Sequence, residues 1–208
     1  MSKGIILTRR EIKELYRKSI HIGSLILPLS YRYILGYNKI LAIAILFPLA
    51  FASVVVEIIR LENRTVKRVF YRLFGIMMRK HEVANLTGAS YLLTSAVFSI
   101  ALFPREIAFA ALSFLSLGDT LAAIIGIRYG SRKIKGTSKS LEGSIACFTS
   151  CFAYALIFGL HPGMALVGAI SATISELLNI PIDDNVKIPI FSGIIMSLAS
   201  IFIPITLR

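Results

Sequence analysis

Asp119 stands in the run SLGDTLAAIIG, with no other charged residue from Ile107 to Ile127. A carboxylate within an apolar helix is expensive, so in membrane proteins such a residue faces the bundle interior or a wet cavity and marks a site. Glu57 and Glu176 close two further apolar stretches, and Asp183, Asp184 and Asn185 form a short polar loop after the second of them. Several independent segments thus offer oxygen donors. The opposite charges lie in RYGSRKIKGTSKSLEGS, residues 128–144, where Gly130, Gly136, Lys133, Lys135, Ser138, Lys139 and Ser140 can wrap a polyphosphate with side chains and backbone amides. The GxxxxGK[ST] spacing of a P-loop is absent, and a basic loop alone is explained as simply by the Lys and Arg excess of cytoplasmic loops. Asp119 on one flank and Glu142 on the other change its meaning: cations for phosphates, beside carboxylates that suit magnesium, are the parts phosphoryl transfer requires.

Other candidates carry two readings. Ala122, Ala123, Gly126 and Gly130 follow Asp119 on one helix face, where small side chains admit either a ligand or a neighbouring helix. Glu14, Arg17, Lys18 and His21 recur at helical intervals where the chain meets the membrane, which suits a structural ion pair as well as a substrate contact. Cys147 and Cys151 lie one turn apart in an apolar segment and read as core, and His161 beside Pro162 reads as an outer-loop residue.

The elements that must position these groups are helices in a bilayer. Of 208 residues 56% are hydrophobic and 16% charged, with mean hydropathy +0.76, well outside the range of soluble domains. The net charge of +12 is gathered in blocks between uncharged runs, which excludes a folded nucleic-acid-binding surface. Two cysteines and three histidines exclude a disulfide scaffold and a structural zinc site. The amino-terminal segment lacks a signal-peptide pattern and is expected to be retained. Apolar runs at 20–36, 40–59, 86–103, 107–127, 144–160, 164–180 and 188–205 give an all-α polytopic membrane protein of about seven transmembrane helices. The first run, which holds His21, Pro28 and Arg32, is also compatible with a re-entrant segment. With seven spans, 19 Lys and Arg fall on the amino-terminal side and 4 on the other, which places the amino terminus inside. Within 60–82, Val66, Val69, Phe70, Leu73 and Met77 alternate helically with Arg64, Lys67, Arg68 and Arg72, so a basic amphipathic helix in the cytoplasmic interface is expected. The chain reads as one membrane domain, 1–208, with cytoplasmic segments at 1–19, 60–82, 128–143 and 181–187.

The runs RKSIH (Arg17–His21), HEVANLTGASY (His81–Tyr91), GDTLAAIIGIRYG (Gly118–Gly130), KSLEGS (Lys139–Ser144) and IDDNVKIP (Ile182–Pro189) resemble, in order and over nearly the whole chain, the polyprenol kinase family of dolichol, phytol, farnesol and CTP-dependent diacylglycerol kinases. The central block is also similar to CDP-diacylglycerol synthase, but Ser140 stands where that enzyme has Thr, and IDDNVKIP replaces its late Lys-Asp and Asp-Arg motifs. The kinase branch is favoured; a CDP-lipid synthase and a small ion-coupled transporter are the alternatives. The resemblance implies a CTP-using enzyme that phosphorylates a membrane lipid alcohol with magnesium, the choice of CTP resting on the resemblance alone. On it, Asp119, Asp183 and Asp184 hold magnesium or orient the hydroxyl. Lys133, Lys135, Ser138, Lys139 and Ser140 bind the triphosphate beside Gly126 and Gly130, and Glu142 and Asn185 support them. Arg17, Lys18, His21, Glu57, Glu82 and Glu176 contact lipid or support the site. A multi-pass protein of a prokaryotic plasma membrane, its site cytoplasmic, with oligomers allowed, is expected.

Overall fold

The computed structural model describes residues 9–75, 78–79, 81–137 and 139–207. Met77, Ser138 and the first eight residues of the expected cytoplasmic amino terminus lie outside them. The described residues form α1 (Arg9–Gly23), α2 (Ile26–Tyr33), α3 (Lys39–Glu62), α4 (Arg64–Phe74), a 3-10 turn at His81–Val83, α5 (Gly88–Leu102), α6 (Arg105–Arg128), α7 (Leu141–Ile157), α8 (Pro162–Leu177) and α9 (Asp184–Ala199). Polar residues set the boundaries by capping free amides. Asn38 Oδ1 accepts from Leu41 N at 3.0 Å to start α3. Asn63 ends that helix and caps the next, accepting from Thr65 N at 2.9 Å. Asp183 Oδ1 accepts from Asn185 N at 2.9 Å to start α9.

The single span expected at 20–36 is not formed. Its first residues complete α1, and the helix breaks at Gly23–Leu25 before the short α2. The break has a polar anchor: Ser24 Oγ donates to His21 O at 2.6 Å and lies 2.6 Å from Ser116 Oγ of α6. The expected amphipathic helix is divided likewise, because Asn63 separates α3 from α4 and α4 stops at Phe74. Two helices, α3 and α6, are long and apolar enough to cross a bilayer, while α5, α7 and α8 are shorter apolar helices.

α6 is the axis, packing against α1, α2, α5, α7, α8 and α9, while α3 packs on α5 and α4. Without a hydrophobic drive between helices in lipid, close packing of small residues holds such bundles together. Gly168 of α8 sits against Phe114 and Met196, and Gly118 of α6 against Cys147 and Cys151 of α7, so both cysteines are core as expected. At the bundle end bearing the α2–α3 turn, the Arg32 guanidinium lies 5.1 to 5.9 Å from the rings of Tyr33, Tyr37, Phe109 and Phe158 and donates to Phe158 O at 2.9 Å. Burial there pushes the Tyr37 phenol up to about 12.

Candidate active site

The opposite end collects the carboxyl ends of α1, α3, α6 and α8 and the amino ends of α5, α7 and α9, and two cavities open there. The first, about 550 Å³, has an apolar wall of Leu49, Ala52 and Val56 from α3, Phe70 and Phe74 from α4, and Ala89 and Leu92 from α5. Its polar end is made by Arg17, Lys18, His21, Glu57, Arg79, Glu82, Asp119 and Asn185. The second, about 750 Å³, is polar and is bounded by Arg79, Asn85, Tyr91, Gly136, Thr137, Lys139, Leu177–Asp184 and Lys187.

Asp119 is 6% exposed and accepts from Lys18 Nζ, itself 3% exposed. Neither charge alone would be tolerated at such burial; together they compensate. His21 Nε2 lies 3.5 Å from Asp119 Oδ2 and has no hydrogen-bond partner of its own. The Ser24–Ser116 contact pins the end of α1 one turn from Asp119 and so delivers Lys18 and His21 to it. Arg17 pairs with Glu14 on the same helix and lines the cavity.

Glu57 and Glu82 hold backbone. Glu57 pairs with Arg60 Nη2 at 2.6 Å and accepts from the Thr87 hydroxyl. Glu82 accepts from Arg79 N at 2.7 Å and Gly88 N at 3.1 Å. Arg60, 1% exposed, donates to Glu82 O at 3.0 Å and Asn85 O at 2.6 Å beneath the Phe70 ring. A buried arginine meeting carbonyls and a carboxylate at once, with Glu57 on Thr87, fixes residues 82–87 against α3.

In the second cavity Lys139 Nζ lies 2.7 Å from Glu176 Oε1 and 3.9 Å from Asp184 Oδ2. Lys187 Nζ is 2.7 Å from Asp184 Oδ1. Asp183 Oδ1 accepts from Asn185 Nδ2 at 2.6 Å, and its Oδ2 faces Arg79 Nη1 at 3.1 Å. Glu176 Oε2 is buried without a hydrogen-bond partner.

Several expected ligands lie elsewhere. Lys133 and Lys135 are exposed and line neither cavity. Glu142 accepts from Ser131 Oγ at 2.7 Å and Arg132 N at 3.2 Å, closing the loop whose turn is Gly136 with φ +79°. The Ser131 hydroxyl and neighbouring amides hold the Glu142 carboxyl below its ordinary range. Ser140 caps α7 by accepting from Gly143 N at 3.2 Å. A Cβ at Gly126 would meet Ser140 Oγ at 3.1 Å, and one at Gly130 would meet it at 2.6 Å. The small-residue face of α6 therefore packs on the start of α7. The trio Asp119, Asp183 and Asp184 is not assembled: the first lines one cavity and the other two line the second, and among the described residues no three His, Cys, Asp or Glu gather as a metal cluster. Magnesium bound with a nucleotide commonly takes only one or two carboxylates plus phosphates; Asp183 and Asp184 face Arg79, Lys139 and Lys187 and would be free to hold the ion once those cations turn to phosphate. Arg60 and Arg79 were not singled out by their sequence, although Arg79 stands two residues before the HEVANLTGASY run.

One end of the helical bundle thus holds an apolar-walled cavity and a polar one, the second carrying Arg79, Lys139 and Lys187 beside Asp183 and Asp184, with Arg79 lining both. No family model and no solved structure matches the chain. Among curated proteins it is 30% identical to CTP-dependent diacylglycerol kinase 1 of Saccharomyces cerevisiae, over 93% of this chain and 75% of that protein. It is 32% identical to a probable chloroplastic phytol kinase of Zea mays, over 50% of this chain and 41% of that one, and 36% identical to the dolichol kinase of Saccharomyces cerevisiae, over 37% and 17%. The chain belongs to the polyprenol kinase family. It is an enzyme of the lipid kinase class.

Proposed function

We propose that this enzyme transfers the γ-phosphoryl group of CTP to the hydroxyl of diacylglycerol or an isoprenoid alcohol at the cytoplasmic face of the membrane. The observation that carries the reading is the adjacency of the two cavities, one with an apolar wall ending at Asp119 and the other lined by Lys139, Lys187 and Arg79. The lipid chains lie along α3, α4 and α5, and the hydroxyl meets the Lys18–His21–Asp119 cluster. Asp119 accepts a hydrogen bond from the hydroxyl and takes its proton as the oxygen attacks, and Lys18 keeps that carboxylate in place. His21, whose Nε2 has no other partner, is the second group that can hold the same hydroxyl. The bond from the lipid oxygen to the γ-phosphorus forms as the bond from that phosphorus to the β–γ bridging oxygen breaks, and CDP leaves with the electron pair. Lys139 and Lys187 leave Glu176 and Asp184 for the phosphates. Magnesium, when bound, neutralises triphosphate charge, and Asp183 and Asp184 are the side chains that would hold it.

The test is incubation of purified protein with magnesium, a panel of lipid alcohols and phosphatidate, and CTP labelled at the α or γ phosphate. Label in lipid from the γ position is expected. Label from the α position instead means a CDP-lipid synthase, and no label from either, with folded protein, overturns the reading.

A further inference from the structure

A phosphoryl group in transit carries its charge on three equatorial oxygens, halfway between an acceptor in one cavity and a leaving group in the other. A cation that stabilises that state must reach both sides. Among the described residues Arg79 alone lines both cavities; Lys18 lines only the first, and Lys139 and Lys187 only the second. From this juxtaposition, and resting on the two-substrate reading above, we propose that Arg79 is a catalytic residue that grips the γ-phosphoryl group as it crosses from nucleotide to lipid.

Three features support the assignment. The Arg79 backbone is held by Glu82 through its amide, and Glu82 in turn is held by Gly88 N and, through its carbonyl, by the buried Arg60. The segment is therefore tied to α3 and α5, and catalytic groups need such a support. The side chain is tied less firmly, with Nη1 at 3.1 Å from Asp183 Oδ2 and about a quarter of its surface accessible. With Asp183 as its ion-pair partner among the described residues, the guanidinium has a resting position from which it can turn to phosphate. Last, a guanidinium presents its donors as a planar fork and can span two phosphoryl oxygens, which an ammonium cannot do.

The test compares the wild-type enzyme with Arg79→Ala and Arg79→Lys in the labelled-CTP assay, together with equilibrium binding of CTP and thermal unfolding. Loss of the phosphoryl grip lowers kcat by about a thousandfold in Arg79→Ala and by at least about a hundredfold in Arg79→Lys. CTP affinity and Tm change little, and guanidinium ion added in millimolar amounts returns part of the Arg79→Ala turnover. A structural role would not produce that rescue. Turnover within about threefold of wild type in Arg79→Lys, or a loss confined to CTP affinity or to Tm, overturns the proposal. Should wild-type enzyme itself transfer no γ label, the two-substrate reading fails first and this one with it; normal wild-type transfer with active Arg79 variants sinks this inference alone.

Discussion

α3 and α6 are each 24 residues long and apolar enough to cross a bilayer, yet the most apolar stretch of α3 is 17% buried in the protein and that of α6 is 78% buried. The difference lies in side-chain size. α6 buries Ala108, Ala110, Ala111, Ser113, Ser116, Gly118, Thr120 and Ala122 between the larger Ile107, Phe109, Leu112, Phe114 and Leu115, so six neighbours can approach its backbone. α3 turns Ile45, Phe47, Phe51, Val55 and Ile58 outward, where large apolar groups suit lipid. Length and apolar character fit both helices to cross a membrane, and burial says which is the axis. An axis helix can carry a carboxylate because partners arrive from several sides, as Lys18 and His21 do at Asp119. The outward-facing α3 keeps its one buried carboxylate, Glu57, for its carboxyl-terminal part and pairs it with Arg60.

This contrast can be broken by substitution. The largest effect is expected for Asp119→Asn, which removes the proposed acceptor for the lipid proton and should lower turnover by about a thousandfold or more; because it also leaves the buried Lys18 charge unpaired, Lys18→Met with Asp119→Asn is the folded control, and activity retained in either variant would take Asp119 out of the chemistry. Next is Gly118→Val on the axis. Its new side chain would enter the space where a Cβ already meets Cys151 Sγ at 2.6 Å and Cys147 Sγ at 3.1 Å, costing about 1–3 kcal/mol by overpacking. A lowered Tm, partly restored by adding Cys151→Ala, is the expected reading, and an unchanged Tm would mean that α6 and α7 are not closely packed.

On α3 the expectations are milder. Leu49→Trp narrows the apolar cavity and should raise the KM for lipid severalfold with the KM for CTP unchanged; equal changes in both would separate α3 from the lipid path. Phe51→Leu, at a side chain 63% exposed, should leave stability within about 0.5 kcal/mol of wild type, and a larger loss would show that this face is covered. Smallest is the loop leaving α6. Because the folded-state pKa of Glu142 lies below its ordinary value, the stability this carboxylate gives the loop is present above the ordinary carboxylate range and is lost as pH falls through its lowered value. Amide-exchange protection at Arg132 should therefore drop on acidification in the wild type but not in Glu142→Gln.

Asp119, Glu176 and the 183–185 loop could be read from sequence because an isolated charge among apolar residues needs a reason, and helical spacing already puts them toward one face. Lys18 and His21 were visible only as a pattern on one turn, since nothing local shows that a serine contact would press that turn against α6. Arg60 and Arg79 were hidden for a different reason. They stand in a basic block that the asymmetry of membrane loops explains without them, and the partners that distinguish Arg60 include the carbonyls of Glu82 and Asn85, which have no side-chain signature. The glycines after Asp119 left two readings open, because small size admits ligand and helix equally; the chain uses it to seat Ser140 against α6.

Among the described residues one arginine lines both cavities, with Lys18, His21 and Asp119 on one side and Lys139 and Lys187 on the other. If lipid and nucleotide occupy the two cavities together, as proposed, transfer would be one in-line displacement rather than two. Initial velocities measured against both substrates should then give intersecting rather than parallel lines, and a γ-phosphoryl group made chiral with oxygen isotopes should reach the lipid with its configuration inverted.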